Sequence, residues 1–202
     1  MAEPRFEENE LGISWRPDAG ETMQRACHAV RLGRANAVWI VDPVDVPGLD
    51  ERIAAVGDPA GVLQLLDRHD RDCATLAARL GVPHHRLPFG GVEGASFEPV
   101  SVIRLRFWNE IAIWAADERA LIVPEAVGTA AYFRSGDEDV GIHPFLRLTP
   151  PRKLAAFAPE HLLTGHGTGI HGSGTPAALV DALDGSRRRI PGALRSMIRR
   201  KG

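Results

Sequence analysis

Apolar positions in this chain come in short runs, each cut off by glycine, proline or charge, and two spacings recur. Residues 11–15, 27–32 and 37–41 are brief and rich in β-branched or aromatic side chains, which predicts strands, with a turn at 33–36 joining the last two as a hairpin. Residues 49–56 put their apolar side chains on one helical face and stop at Gly57, so a short amphipathic helix is predicted there. Residues 61–66 are apolar without interruption, the pattern of a central strand covered on both faces. That run ends in Asp67-Arg68-His69-Asp70-Arg71-Asp72, after which an alanine- and leucine-rich helix is predicted to Leu80, with Gly81 just past its end.

The second half repeats the sense of the first. Strands are predicted at 100–107, 110–115 and 120–123, with Asp117-Glu118 as a tight turn between the last two. A helix is predicted to open near Pro151 and end near Phe157, followed by a strand at 162–164 and a helix opened by Thr175-Pro176 and closed by Gly185. Two β-rich halves, each followed by helices, make an α/β chain. The polar stretch 67–72 and Gly165-His166-Gly167 stand at the exits of buried strands, where such proteins build sites.

Composition matters for what it excludes. With 202 residues, 44% hydrophobic, and a net charge of −2, the chain suits one large globular domain and argues against a general nucleic-acid or membrane binder. No apolar run reaches the ~20 residues of a membrane helix. The N-terminus is acidic and lacks the apolar core of a signal peptide, so a cytoplasmic location is expected, with Cys27 and Cys73 as free thiols. Arg187, Arg188, Arg189, Arg195, Arg199, Arg200 and Lys201 make a basic end, expected to be a solvated terminal helix because no aromatic residues interleave the charges.

In order and spacing, Val38-Trp39-Ile40-Val41-Asp42-Pro43, the stretch from Leu65 to Ala74, Ala120-Leu121-Ile122-Val123-Pro124-Glu125-Ala126 and Leu163-Thr164-Gly165-His166-Gly167 resemble landmarks of the metallo-β-lactamase superfamily, the glyoxalase II-like hydrolases. The resemblance implies a four-layer αββα sandwich over residues 11–186, with an N-terminal extension at 1–10 and a basic helix or tail at 187–202. It also implies a metal centre, in which a His-x-His-x-Asp-His loop, a later histidine, a bridging Asp and a final Gly-His hold one or two ions, commonly zinc. Laid on that motif, Arg68 and Asp70 stand where the first two histidines belong, Asp72 matches, and Cys73 replaces the last histidine. Glu125 takes the bridging position, His166 is retained, and no histidine near 107–110 supplies the third ligand of the first ion.

Arginine stays protonated and repels a cation, so the first metal position is expected to be lost. Asp72, Cys73, Glu125 and His166 are competent ligands for one zinc, iron or manganese ion. Each also has an ordinary structural role: Asp72 as a helix cap, Cys73 as a buried apolar group, Glu125 as partner of Arg68, and His166 as a turn histidine bonded to backbone. The expectation is a degenerate centre without metal, in which Arg68, Asp70, Asp72, Glu125 and His166 balance one another's charge and a pocket remains for a small molecule or a partner. The alternatives are a single-metal hydrolase of a small ester or thioester, lactone or phosphoester, with Arg68, Asp70 or Asp72 in its chemistry, and an interaction module docking through the basic tail. His69, at a spacer position, is expected to point away, His84 and His85 to face opposite sides of a strand, and His143 and His171 to rim the pocket.

Overall fold

The computed structural model describes residues 3–18, 20–33 and 36–193. Among these, β1 (Arg5–Asn9), β2 (Gly12–Arg16), β3 (Cys27–Arg31), β4 (Ala37–Val41), β5 (Asp58–Gln64) and β6 (His84–Arg86) form a six-stranded sheet in that order. The first four strands are antiparallel neighbours, while β4, β5 and β6 run parallel. Parallel neighbours need crossovers, supplied by α1 (Leu49–Val56) and α2 (Cys73–Leu80), the second ending on Gly81 in the left-handed conformation. Residues 5–9 are therefore an edge strand, with the Phe6 ring stacked 6.4 Å from that of Trp15. Only one large apolar side chain marks this strand among its charges, so its pattern reads as an acidic extension.

The second half supplies β7 (Glu98–Leu105), β8 (Trp108–Ala115), β9 (Ala120–Val123), a two-stranded ladder of β10 (Val127–Gly128) and β11 (Gly141–Ile142), then β12 (His161–Thr164) and β13 (Ile170–His171). The larger sheet here has the order β13-β12-β9-β8-β7, with β12 and β9 parallel. The helix expected near Pro151 is a 3-10 segment, Arg152–Ala156. α3 (Thr175–Gly185) begins after Gly174, and the Thr175 hydroxyl donates to the Glu160 carbonyl instead of capping the helix. Of the basic end, Arg189 bonds the Asp181 carboxylate at 2.6 Å and Arg187 the Leu148 carbonyl at 2.8 Å, while residues 194–202 lie outside the described part.

Apolar burial organises these pieces into three clusters. Val41, Leu63 and Leu65 of the first sheet meet Ile111, Ile122 and Leu163 of the second. Ile53 of α1 and Leu76 of α2 pack on Ile40 and Val62, and Leu179 and Leu183 of α3 pack on Leu121 and Leu162. Each such side chain contributes about 1.5–3 kcal/mol by leaving water. Among the described residues no helix is long and apolar enough to cross a membrane, and Cys27 and Cys73 are both buried and unbridged.

The two sheets are stapled at one end. The Ile111 N–H donates to the Leu65 carbonyl at 2.9 Å, the Asp67 N–H to the Asn109 carbonyl at 3.1 Å, and the Asn109 N–H to the Asp67 carboxylate at 2.7 Å. This seam delivers the polar loop after β5 to the ends of β8, β9 and β12.

Candidate functional site

At that end, Asp42 follows β4 with a left-handed backbone (φ 45°) and is almost fully buried. One carboxylate oxygen accepts the Leu65 N–H at 2.9 Å, extending the ladder to β5, and the other meets His69 Nδ1 at 2.8 Å. On the far side of that ring, Arg71 Nη2 lies 3.1 Å from Nε2. A guanidinium can only donate, so Nε2 carries the lone pair and the ring proton sits on Nδ1, facing Asp42. Arg71 also donates to the carbonyls of Asp42 (2.7 Å) and Ala26 (3.0 Å), so its cation is fixed within the protein. Burial first, and the Arg71 charge second, hold the His69 pKa below the usual imidazole value.

The second sheet brings different groups. Glu110, fully buried on β8, accepts the N–H groups of Glu125 (3.0 Å) and Ala126 (2.7 Å) and the Trp108 indole N–H (2.9 Å), and so shapes the loop after β9. Its pKa is pushed up to about 7 by burial, against the pull of those donors. Glu125 then presents its carboxylate to three cations or imidazoles: Arg68 at 3.4 Å, His143 Nε2 at 3.5 Å and His69 Nε2 at 3.6 Å. His143 accepts the Phe145 N–H on Nδ1, so its proton is on Nε2, and it is packed among the rings of Trp108, Tyr132, Phe133 and Phe145. Burial lowers its pKa to about 4.

His166 follows β12, its ring stacked 5.2 Å from that of Phe133. Nδ1 lies 3.1 Å from the Met23 carbonyl, which can only accept, so the proton is there and Nε2 is a bare lone pair. That Nε2 is buried and has no hydrogen-bond partner. Burial, then the charge of Arg71, lowers the His166 pKa to about 3, so the ring is neutral. Gly165 and Gly167 flank it because no side chain fits: a Cβ at Gly165 would stand 2.1 Å from the Pro124 carbonyl oxygen, and one at Gly167 (φ 98°) 2.2 Å from the Thr129 hydroxyl. Ligand atoms of His69, Glu125 and His166 lie within 4.8 Å of one another, the arrangement a single ion requires.

The loop after β5 therefore presents the other half of its residues from that expected. His69 is buried in the cluster rather than turned away, whereas Arg68 and Asp70 are exposed. The guanidinium against the imidazole is that of Arg71, and Arg68 stacks on the Trp108 ring at 4.6 Å on the rim. Asp72 stands at the start of α2 without capping it; its carboxylate accepts the Asp45 N–H at 2.8 Å instead. Cys73 is buried and donates to the His69 carbonyl at 3.4 Å. Of Asp72, Cys73, Glu125 and His166, only the last two join the cluster. The physical reason is the loop's backbone: it leaves the strand after Gln64, turns with the His69 N–H on the Leu66 carbonyl, and takes φ 38° at Arg71, so strand alternation does not carry through. His143 lies inside the site, His171 on β13 far from it, and His84 and His85 on β6. Asp42, Arg71 and Glu110, which no motif marks, complete the cluster. Asp42-Pro43 at a strand exit was the available signal for the first.

No family model matches the chain, and no curated protein matches it. Solved structures do. DIM-1 metallo-β-lactamase superposes with a TM-score of 0.54 at 12% identity, over 95% of this chain and 98% of that one. This is the metallo-β-lactamase fold. TTHA1623 in a di-iron-bound form matches with a TM-score of 0.53 and 16% identity, covering 80% of this chain and 94% of that one. ODP, a chemotaxis sensor from T. denticola, matches in its peroxy diiron form with 0.55 and 11%, over 91% and 94%.

Proposed function

We propose that this chain is a four-layer αββα metallo-β-lactamase-fold protein whose metal centre has degenerated, and that it binds a small molecule rather than hydrolysing one. One observation carries the reading: the Arg71 guanidinium on the His69 Nε2 lone pair. Two nitrogens and a carboxylate from His69, His166 and Glu125 suit one zinc or iron ion by their chemistry. The arginine does not suit it, because it engages one of the three donors and sets a permanent positive charge beside the place for the ion. The seat of the cation is thus filled from within the chain. Over it, Arg68 is half-exposed on Trp108, and Phe107 and Phe145 are 75% and 79% exposed. A cation flanked by exposed rings favours a ligand with an apolar or aromatic body and an anionic group. One neighbour in fold is a chemotaxis sensor, so the fold serves roles beyond β-lactam chemistry.

The unpartnered His166 Nε2 favours a second reading, a single-metal hydrolase. His69, Glu125 and His166 would hold the ion, which would supply a water acidified into a nucleophile. Arg71 would have to leave His69, and Arg68 would offset the charge of an anionic substrate.

Elemental analysis of protein purified without added metal separates the two. The degenerate centre yields no tightly held metal that depends on His166, and a chelator leaves the unfolding midpoint unchanged. Arg71→Ala then frees Nε2 and raises zinc affinity at least tenfold in calorimetric titration. Near-stoichiometric metal in the wild type, lost in His166→Ala, makes the hydrolase the correct reading.

A further inference from the structure

The opposite end of β12 carries a second set of donors, unconnected with the reading above. His161, its first residue, sits directly across the ladder from His171 of β13, and their Nδ1 atoms are 2.9 Å apart. They line an open cleft of about 400 Å³ together with Glu10 and Glu160. His161 is buried and His171 exposed. Glu10, in the turn between β1 and β2, brings its carboxylate to 3.6 Å from His161 Nε2.

We propose that His161 and His171 form a surface site for a divalent transition-metal ion such as Zn²⁺, with both Nδ1 atoms as ligands and Glu10 as the group that orients His161. Two nitrogens bound to one ion at about 2.0–2.1 Å stand roughly 2.9–3.4 Å apart for angles between about 90° and 110°. The pair is already at that separation, and its backbone is fixed by the β12–β13 ladder, so little reorganisation is needed. A carboxylate facing Nε2 favours the tautomer with its proton there and leaves Nδ1 as a lone pair, the arrangement that commonly orients metal-binding histidines. The proton between the two Nδ1 atoms moves to His171 Nε2 on binding, and water completes the coordination.

Zinc titration of the untagged full chain tests the assignment, with His166→Ala run in parallel to remove the other cluster. One equivalent of zinc should bind to both the wild type and His166→Ala. Affinity should fall at least tenfold in His171→Ala, whose exposed side chain can be removed without disturbing the core, and by up to about tenfold in Glu10→Gln. Circular dichroism confirms that each variant is folded. Absence of zinc uptake in the wild type, uptake abolished by His166→Ala, or uptake unchanged by His171→Ala overturns it.

Discussion

The two sheets furnish the cluster in opposite ways. From the six-stranded side come Asp42, His69 and Arg71, each bonded to the next, with both nitrogens of the His69 ring engaged. From the five-stranded side come Glu125, His143 and His166, with contacts of 3.4 Å or longer to the carboxylate and one buried nitrogen unpartnered. A buried polar atom without a partner costs about 1–3 kcal/mol, so a fold keeps one only where something else offsets it. On the six-stranded side the unpartnered buried nitrogen is the Arg71 Nε donor, whereas on the five-stranded side it is the His166 Nε2 lone pair, an acceptor.

Acid should have the largest effect, shared between His143 and His166 of the five-stranded side and His28 of β3 on the other. Burial lowers the imidazoles of His28 and His143 to about 4 and that of His166 to about 3 from an ordinary 6.5. Below pH ~6.5 the unfolded chain takes up protons that the folded chain refuses. Stability is therefore complete above that pH and falls toward pH 4, on the order of 1.4 kcal/mol per pH unit for each such histidine. Urea midpoints at about pH 7.5 and 5 measure the slope. His143→Phe should remove one histidine's share, and an unchanged slope would move the acid sensitivity to the six-stranded side.

Next in size is Arg71→Met, which removes the donor to the Asp42 and Ala26 carbonyls and leaves them and the His69 lone pair unpaired. A loss of about 3 kcal/mol is expected by chemical denaturation, since three buried acceptors lose their donor, and a loss below about 1 kcal/mol would mean that these bonds do not hold the six-stranded side together. Glu110→Gln should cost somewhat less, about 1–3 kcal/mol, because one amide N–H must face a backbone or indole donor. That variant should also weaken ligand binding beside Arg68, since Glu110 holds the loop that carries Glu125, the partner of Arg68. Unaltered stability and binding together would remove Glu110 as a positioning residue.

The fold was largely legible. β4 and β9 fall on their predicted residues, and the helices at 49–56 and after 72 lie where their spacing and terminal glycines put them. Strands of two or three residues, such as β10, β11 and β13, are too short for a period to show, and β1 hides its single aromatic among charges. In the site, Glu125 and His166 were readable because each stands two residues past the end of a buried strand. Residues 68–73 were not, because reading a motif along them assumes that alternation persists, and the turn at Leu66 with the left-handed Arg71 shifts it by one. Arg71 and Glu110 gain their roles from partners far away in the chain: Ala26 and Asp42 for one, Glu125 and Ala126 for the other.

The glycines on either side of His166 bear on redesign. Their Cβ positions already belong to the main chain of Pro124 and to Thr129, so this corner of the molecule has no slack. An engineer seeking new chemistry here would randomise residues 71, 125 and 143 and leave 165 and 167 alone, because a methyl group at either would displace a neighbouring loop before it altered reactivity.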